Sequence, residues 1–278
     1  YMKVIRNTNN NDGDLLRRVL QLAPDNPEAN FYLGRFQFNN QQLSRAVSSF
    51  EKAIEARPDY VAAYMEYGKL LVELGNYEKA AEKYKKALDL SGDNVNILNK
   101  LAEAYLKSDQ YEKAEETYNR VLDESSNNFT ALKGLGDLYL EREDYEQAAD
   151  YYNDALSIRA DADTSVKLAR TYLNNGELES AKTELENLIS ASPYNGEAYL
   201  LLGNYYRKKD NPDRALEEYR EGLDRTQSED IRLKLASRVV ELDSDDTETR
   251  FTLAQIHRNK HVYNSAIDQY EKILDITD

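Results

Sequence analysis

His257 and His261 stand four residues apart, a spacing that can set two imidazoles on one face of a helix and begin a metal site. No third ligand accompanies them. The chain has only two His and no Cys, so a transition-metal centre lacks its usual donors. The pair reads as a surface or loop pair. The run DSDDTE at 243–248 offers carboxylates of the kind calcium takes, yet it lacks the spaced ligands, central Gly and terminal Glu of an EF-hand loop. Acidic residues entering a helix are explained by its dipole. Asn128-Phe129-Thr130 fits the N-glycosylation acceptor pattern, which is short enough to recur by chance. With no phosphate-binding Gly-rich loop and no thiol, the expectation is a non-enzyme that carries no cofactor. The abundance that calls for an explanation is 22 Tyr with no Trp.

A period of 34 residues explains it. Blocks begin at 27, 61, 95, 129, 162, 196 and 247. Position 20 of the block is Ala in all seven (Ala46, Ala80, Ala114, Ala148, Ala181, Ala215, Ala266). Position 8 is always Gly or Ala, from Gly34 and Gly68 to Gly203 and Ala254. Position 24 is aromatic in six blocks: Phe50, Tyr84, Tyr118, Tyr152, Tyr219 and Tyr270, with Leu185 in the fifth. Apolar residues three and four apart predict two amphipathic helices per block, A and then B. Small residues at 8 and 20 let the two backbones approach, and the large residue at 24 fills the space between neighbouring pairs. Neither helix buries its stripe alone, so stacked blocks share one core. Tyrosines at positions 4, 11, 17 and 24 number 15 of the 22 and are assigned to that packing rather than to chemistry.

The pattern resembles the tetratricopeptide repeat (TPR) family over roughly 27–229 and 247–278, although the Trp frequent at position 4 of family repeats is absent. The resemblance implies an all-α, right-handed α-solenoid of helix-turn-helix repeats. The blocks then read as repeats at 27–60, 61–94, 95–128, 129–161, 162–195, 196–229 and 247–278. The fourth is one residue short, in or near SIRADAD. Residues 230–246 are half a repeat, with Ile231, Leu235, Val239 and Leu242 on one face; they predict an inserted single helix that disturbs the A–B alternation and bends the array. Residues 15–26 match the end of a helix B within a partial repeat at 1–26, 1–5 a remnant of its helix A and 6–14 a polar linker. Both ends look cut, so a fragment of a longer protein is expected. Asn26-Pro27 and Asn211-Pro212 predict N-caps, Asp109 with Glu112 a capping box, and Gly75 and Gly176 left-handed turns between A and B.

What the resemblance implies about function is a protein-interaction scaffold whose A helices line a concave face through positions 2, 5, 9 and 12. The candidates there are Phe31, Arg35, Phe38, Met65, Lys69, Val72, Asn99, Glu103, Lys133, Asp137, Arg170, Asn204 and Arg207. Phe31, Phe38, Met65 and Val72 are expected to expose apolar surface, the mark of an interaction site. The carboxylate clamp of chaperone-binding members is not expected: Lys133 has the right type at position 5, but Asp137 stands at position 9 of the same block. The partner is expected to be a protein or peptide. A net charge of −15, from 36 Lys+Arg against 51 Asp+Glu, argues against a nucleic acid. No apolar run reaches the about 18 residues of a membrane span, so no direct membrane insertion is expected. The other readings are structural assembly, by self-association through uncapped ends, and a regulatory domain of a longer multidomain protein. The compartment, cytoplasmic or bacterial periplasmic, stays open.

Overall fold

The computed structural model describes residues 13–277, and the expected helix-A remnant at 1–5 lies outside them. Sixteen helices make up the described chain. In order they are α1 (Gly13–Leu22), α2 (Pro27–Asn39), α3 (Leu43–Ala56), α4 (Val61–Glu73), α5 (Tyr77–Ser91), α6 (Val95–Lys107), α7 (Tyr111–Glu124), α8 (Phe129–Glu141), α9 (Tyr145–Ile158), α10 (Ala162–Asn175), α11 (Leu178–Ala191), α12 (Gly196–Lys208), α13 (Pro212–Arg225), α14 (Glu229–Leu242), α15 (Thr247–Asn259) and α16 (Tyr263–Thr277). The fold class is an all-α helical-repeat solenoid. The chain divides between Leu138 and Tyr139 into two compact units, described here one at a time.

In the first unit the rings at position 24 are the centre of the core. Phe50, Tyr84 and Tyr118 are at most 2% exposed, and Ala46, Ala80 and Ala114 are fully enclosed. The small residue at position 8 is needed because a β-carbon on Gly68 would stand 2.5 Å from the Tyr84 ring. Block three has Ala102 at that position, and its Tyr118 ring leans on Gly134 of α8 instead, where an added β-carbon would meet it at 2.2 Å. Helix α1 begins at Gly13, so Gly13 and Asp14 are helical and not part of a linker; the Phe36 ring lies 2.5 Å from where a Gly13 β-carbon would be.

The second unit repeats the device. Tyr152, Leu185 and Tyr219 are fully buried at position 24. Tyr270 is only half-buried, and Tyr263, expected to pack, is 57% exposed. The inserted helix α14 buries Leu235, Ala236 and Val239 completely. It packs on both helices of the preceding pair, α12 and α13, and on α15. Room for it comes from Gly222, whose added β-carbon would touch Tyr199 at 2.6 Å and Leu235 at 3.2 Å, and from Gly196, beside Thr226 and Ile231.

The A–B turns share one backbone solution. Position 15 has positive φ in every block: Gln41, Gly75, Asp109, Glu143, Gly176, Asp210 and His261. Two of these are Gly, so five turns hold an L side chain in the left-handed region. This corrects one expectation, the capping box at Asp109, and agrees with the loop reading of His261. Asp109, at φ 58°, cannot cap α7 from the extended region; Gln110 precedes the helix without a side-chain cap bond, and Asp109 accepts the Tyr111 hydroxyl at 3.0 Å. His261 sits in a turn rather than on a helix face with His257, its Nδ1 2.9 Å from the Tyr263 hydroxyl. Asn26 and Asn211 do cap their helices, accepting from the Ala29 and Arg214 N–H groups.

Candidate functional site

The A helices lie side by side, and charged side chains bridge them. In the first unit Arg35 of α2 approaches Glu66 of α4 at 3.9 Å, and Lys69 of α4 stands 5.5 Å over the Phe38 ring of α2. Phe38, Met65 and Val72 are half-buried, and Glu103 is exposed. Lys133 and Asp137 are half-buried on α8. Asn99 of α6 donates weakly to Asn128 at 3.4 Å while its own Oδ1 is enclosed without a partner. Asn128, the glycosylation candidate, is engaged as the N-cap of α8, accepting from the Ala131 N–H.

Phe31 does not belong to this surface. It is 5% exposed and packs among Tyr32, Phe50 and Tyr60, with ring centroids 5.0–6.2 Å apart. Position 5 of α2 points inward here because Tyr60, in the next inter-repeat turn, closes over it. Arg57 stacks on the Tyr60 ring and pairs with Glu28.

In the second unit Arg170 of α10 pairs with Glu197 of α12, and Arg207 of α12 makes a two-pronged pair with Glu241 of α14, at 3.1 and 3.3 Å. The inserted helix therefore stands in the row of A helices. Its Arg238 also donates to Glu241, at 2.7 Å. Asn204 accepts the Tyr219 hydroxyl at 2.8 Å. The sequence reading did not single out Arg238 or Glu241, since α14 lies outside the 34-residue blocks. The signal that finds Glu241 is its distance of 34 residues from Arg207.

The electrostatic surroundings of the position-24 tyrosines differ between the units. Burial pushes the Tyr84 and Tyr118 hydroxyls far above the usual phenol range, and nearby carboxylates push further: Glu103 and Glu66 at Tyr84, Glu103 and Asp137 at Tyr118. Burial also raises Tyr219, but Arg207 and Arg238 act against it. Arg238, then Arg207, hold Glu241 below the usual carboxylate range.

The acids at 243–246 also have structural partners. Arg220 donates to Asp243 at 2.8 Å and to Asp246 at 2.7 Å, and Asp246 caps α15 through the Thr249 N–H. Arg250, at position 4 where four other blocks carry Tyr or Leu, is buried and donates to the Ser244 carbonyl and to Gln269. Away from the A row, a cleft of about 510 Å³ opens between α5 and α7, floored by Leu88, Leu101 and Tyr105 and flanked by Lys85, Lys113 and Arg120. Among the described residues no group of three or more His, Cys, Asp or Glu is arranged to hold a metal ion, and no helix is long and apolar enough to cross a membrane.

Comparison with known proteins agrees with the repeat register. A family model described as the TPR domain of cytochrome c-type biogenesis protein H matches residues 55–166. Two tetratricopeptide repeat models match 166–230 and 27–60. No curated protein matches the sequence significantly. A solved tetratricopeptide repeat protein from Parabacteroides merdae is 20% identical with a TM-score of 0.63, over 82% of this chain and 91% of that one. YrrB, a TPR protein with an unusual peptide-binding site, is 23% identical with a TM-score of 0.51, over 64% and 92%. Human IFIT1, solved as a dimer with m7Gppp-AAAA, is 15% identical with a TM-score of 0.63, over 95% and 67%. At these identities the likenesses show the fold, one that generally serves as a non-catalytic protein-interaction scaffold. Repeats in register, the shared packing device and the matching family models together place the chain in the tetratricopeptide repeat family.

Proposed function

We propose that in each unit the row of A helices is a partner-binding face and that it takes a peptide or a segment of another protein. The observation that carries this is the division of labour within each repeat. Position-24 rings are consumed by the core, whereas Lys69, Glu103, Arg170 and Arg207 stay exposed on the A helices. Phe38, Met65 and Val72, half-buried on α2 and α4 of the first unit, supply apolar contact there. YrrB, described as having a peptide-binding site, supports a peptide over other ligands. IFIT1 is an RNA-bound neighbour, but a net charge of −15 opposes a polyanion here. With Asp137 where a clamp needs an amide, the face takes an internal segment rather than a chaperone tail.

The test is Phe38→Ser combined with Lys69→Glu. Both side chains lie outside the fully buried core, so the helical spectrum should be retained. Capture of the native partner should fall by about tenfold or more. Unchanged capture with the fold intact would sink the reading. Phe31→Ser is unsuited to this purpose, because it would report on the core.

A second reading, self-association, rests on the last hairpin. Phe251, Tyr263, Ile267 and Leu274 are 49–60% exposed there. Light scattering over a wide concentration range decides it: a strict monomer at high concentration removes it.

A further inference from the structure

We propose, building on the A-row reading, that α12 and the inserted helix α14 form a notch for one acidic side chain, an Asp or Glu carboxylate of the bound peptide, held between Arg207 and Arg238. The charge count is the first support. Two guanidinium groups share a single carboxylate, Glu241, so the trio has one positive charge in surplus. Arg35 with Glu66 in the first unit, and Arg170 with Glu197 in the second, are by contrast one-to-one bridges.

Preorganisation is the second support. Tyr219 donates its hydroxyl hydrogen to Asn204 at 2.8 Å, and Arg207 acts electrostatically on the same phenol. Arg207 is steadied by the two-pronged pair with Glu241. Arg238 is steadied by Glu241 alone. A planar guanidinium presents paired N–H donors that suit a carboxylate, and several of these donors remain for a guest.

Accessibility is the third. The side chains of Arg207, Arg238 and Glu241 are 35%, 44% and 46% exposed, so a guest reaches them without rearranging the core. A single surplus charge on a protein of net charge −15 suits an isolated carboxylate better than a polyphosphate chain. The site depends on α14, which carries both Arg238 and Glu241.

The experiment uses the 278-residue chain and a fluorescein-labelled 15-residue peptide of Glu, Leu and Gly, followed by anisotropy at low salt. The expected result is about tenfold weaker binding for Arg238→Ala and about threefold tighter binding for Glu241→Gln, which frees both guanidinium groups. Arg214→Ala removes the same unit of charge from an exposed site paired with Glu217 and should change binding less than twofold. The same peptide with Lys in place of Glu should bind more weakly.

The proposal is overturned if the peptide does not bind, if Arg238→Ala binds as well as the parent, or if Arg214→Ala loses as much. Tighter binding of oligoadenylate, itself lost in Arg238→Ala, would assign the notch to nucleic acid and overturn it too. Binding that survives Arg238→Ala but is lost in Phe38→Ser with Lys69→Glu removes the notch and keeps the A-row reading. Binding untouched by either variant removes both.

Discussion

Tyr118 and Tyr219 hold the same place in two repeats, and both rings are at most 2% exposed. Carboxylates of Glu103 and Asp137 act on the first, guanidinium groups of Arg207 and Arg238 on the second. The repeat thus fixes the ring and leaves the side chains above it to vary. Framework and recognition are separable: packing is set by positions 8, 20 and 24, and surface charge by positions 9 and 12 together with an insertion.

The most damaging way to break the pair is to fill the seat of either ring. Gly134→Ala and Gly203→Ala each place a β-carbon 2.2 Å from a ring atom of Tyr118 or Tyr219. Each should cost about 2–3 kcal/mol in urea unfolding. Combining Gly203→Ala with Tyr219→Leu recreates the pairing of Ala169 with Leu185 in block five and should recover part of that loss. An additive double mutant would show that the seat is not shared.

A smaller effect separates the caps of the two units. Burial alone would raise Asp246, but the Thr249 N–H and Arg220 bring it below its ordinary value of 3.8. Its stabilisation is therefore present above that value and is lost as pH falls through the lower folded one. Asp246→Ala should cost about 1–2 kcal/mol at neutral pH. Asp246→Asn should keep the cap and flatten the acid limb of stability against pH. Asn128, the uncharged counterpart that caps α8, has no such limb.

The turns give a gain of similar or lesser size. Glu143→Gly and Gln41→Gly relieve a left-handed L residue and should stabilise by about 0.5–1 kcal/mol, whereas Gly75→Ala should lose about the same. Absorbance titration of the tyrosines checks the framework with the least perturbation. Tyr60, pushed up mainly by burial, should titrate near pH 12. Because the enclosed phenols are raised on folding, their stabilisation is complete below about pH 10 and is lost as pH rises beyond it. Tyr118 should therefore ionise only with the alkaline unfolding transition.

The framework was legible because it repeats. Ala at 20 and a ring at 24 recur often enough to give both the period and the burial of Phe50, Tyr152 and Tyr219. The extra helix was legible from the apolar spacing of Leu235 and Val239. Single events were not. Phe31 has the position of a surface residue, and only the rings of Tyr32, Phe50 and Tyr60 around it reveal that it is core. Left-handed backbone at Glu143 carries no residue signal, since the type there is set by the turn and not by preference. Arg238 and Glu241 escaped because residues 230–246 were read as an insertion outside the blocks, and the sharing of Glu241 by Arg207 and Arg238 is a tertiary fact.

The most direct test of the account is position-specific crosslinking to the native partner. A photoreactive phenylalanine at half-buried Val72 of α4 or exposed Arg170 of α10 is compared with one at exposed Lys86 or Glu217, on α5 and α13. The account predicts partner adducts from the A-helix positions and none from the B-helix positions. Adducts confined to Lys86 and Glu217 would contradict it.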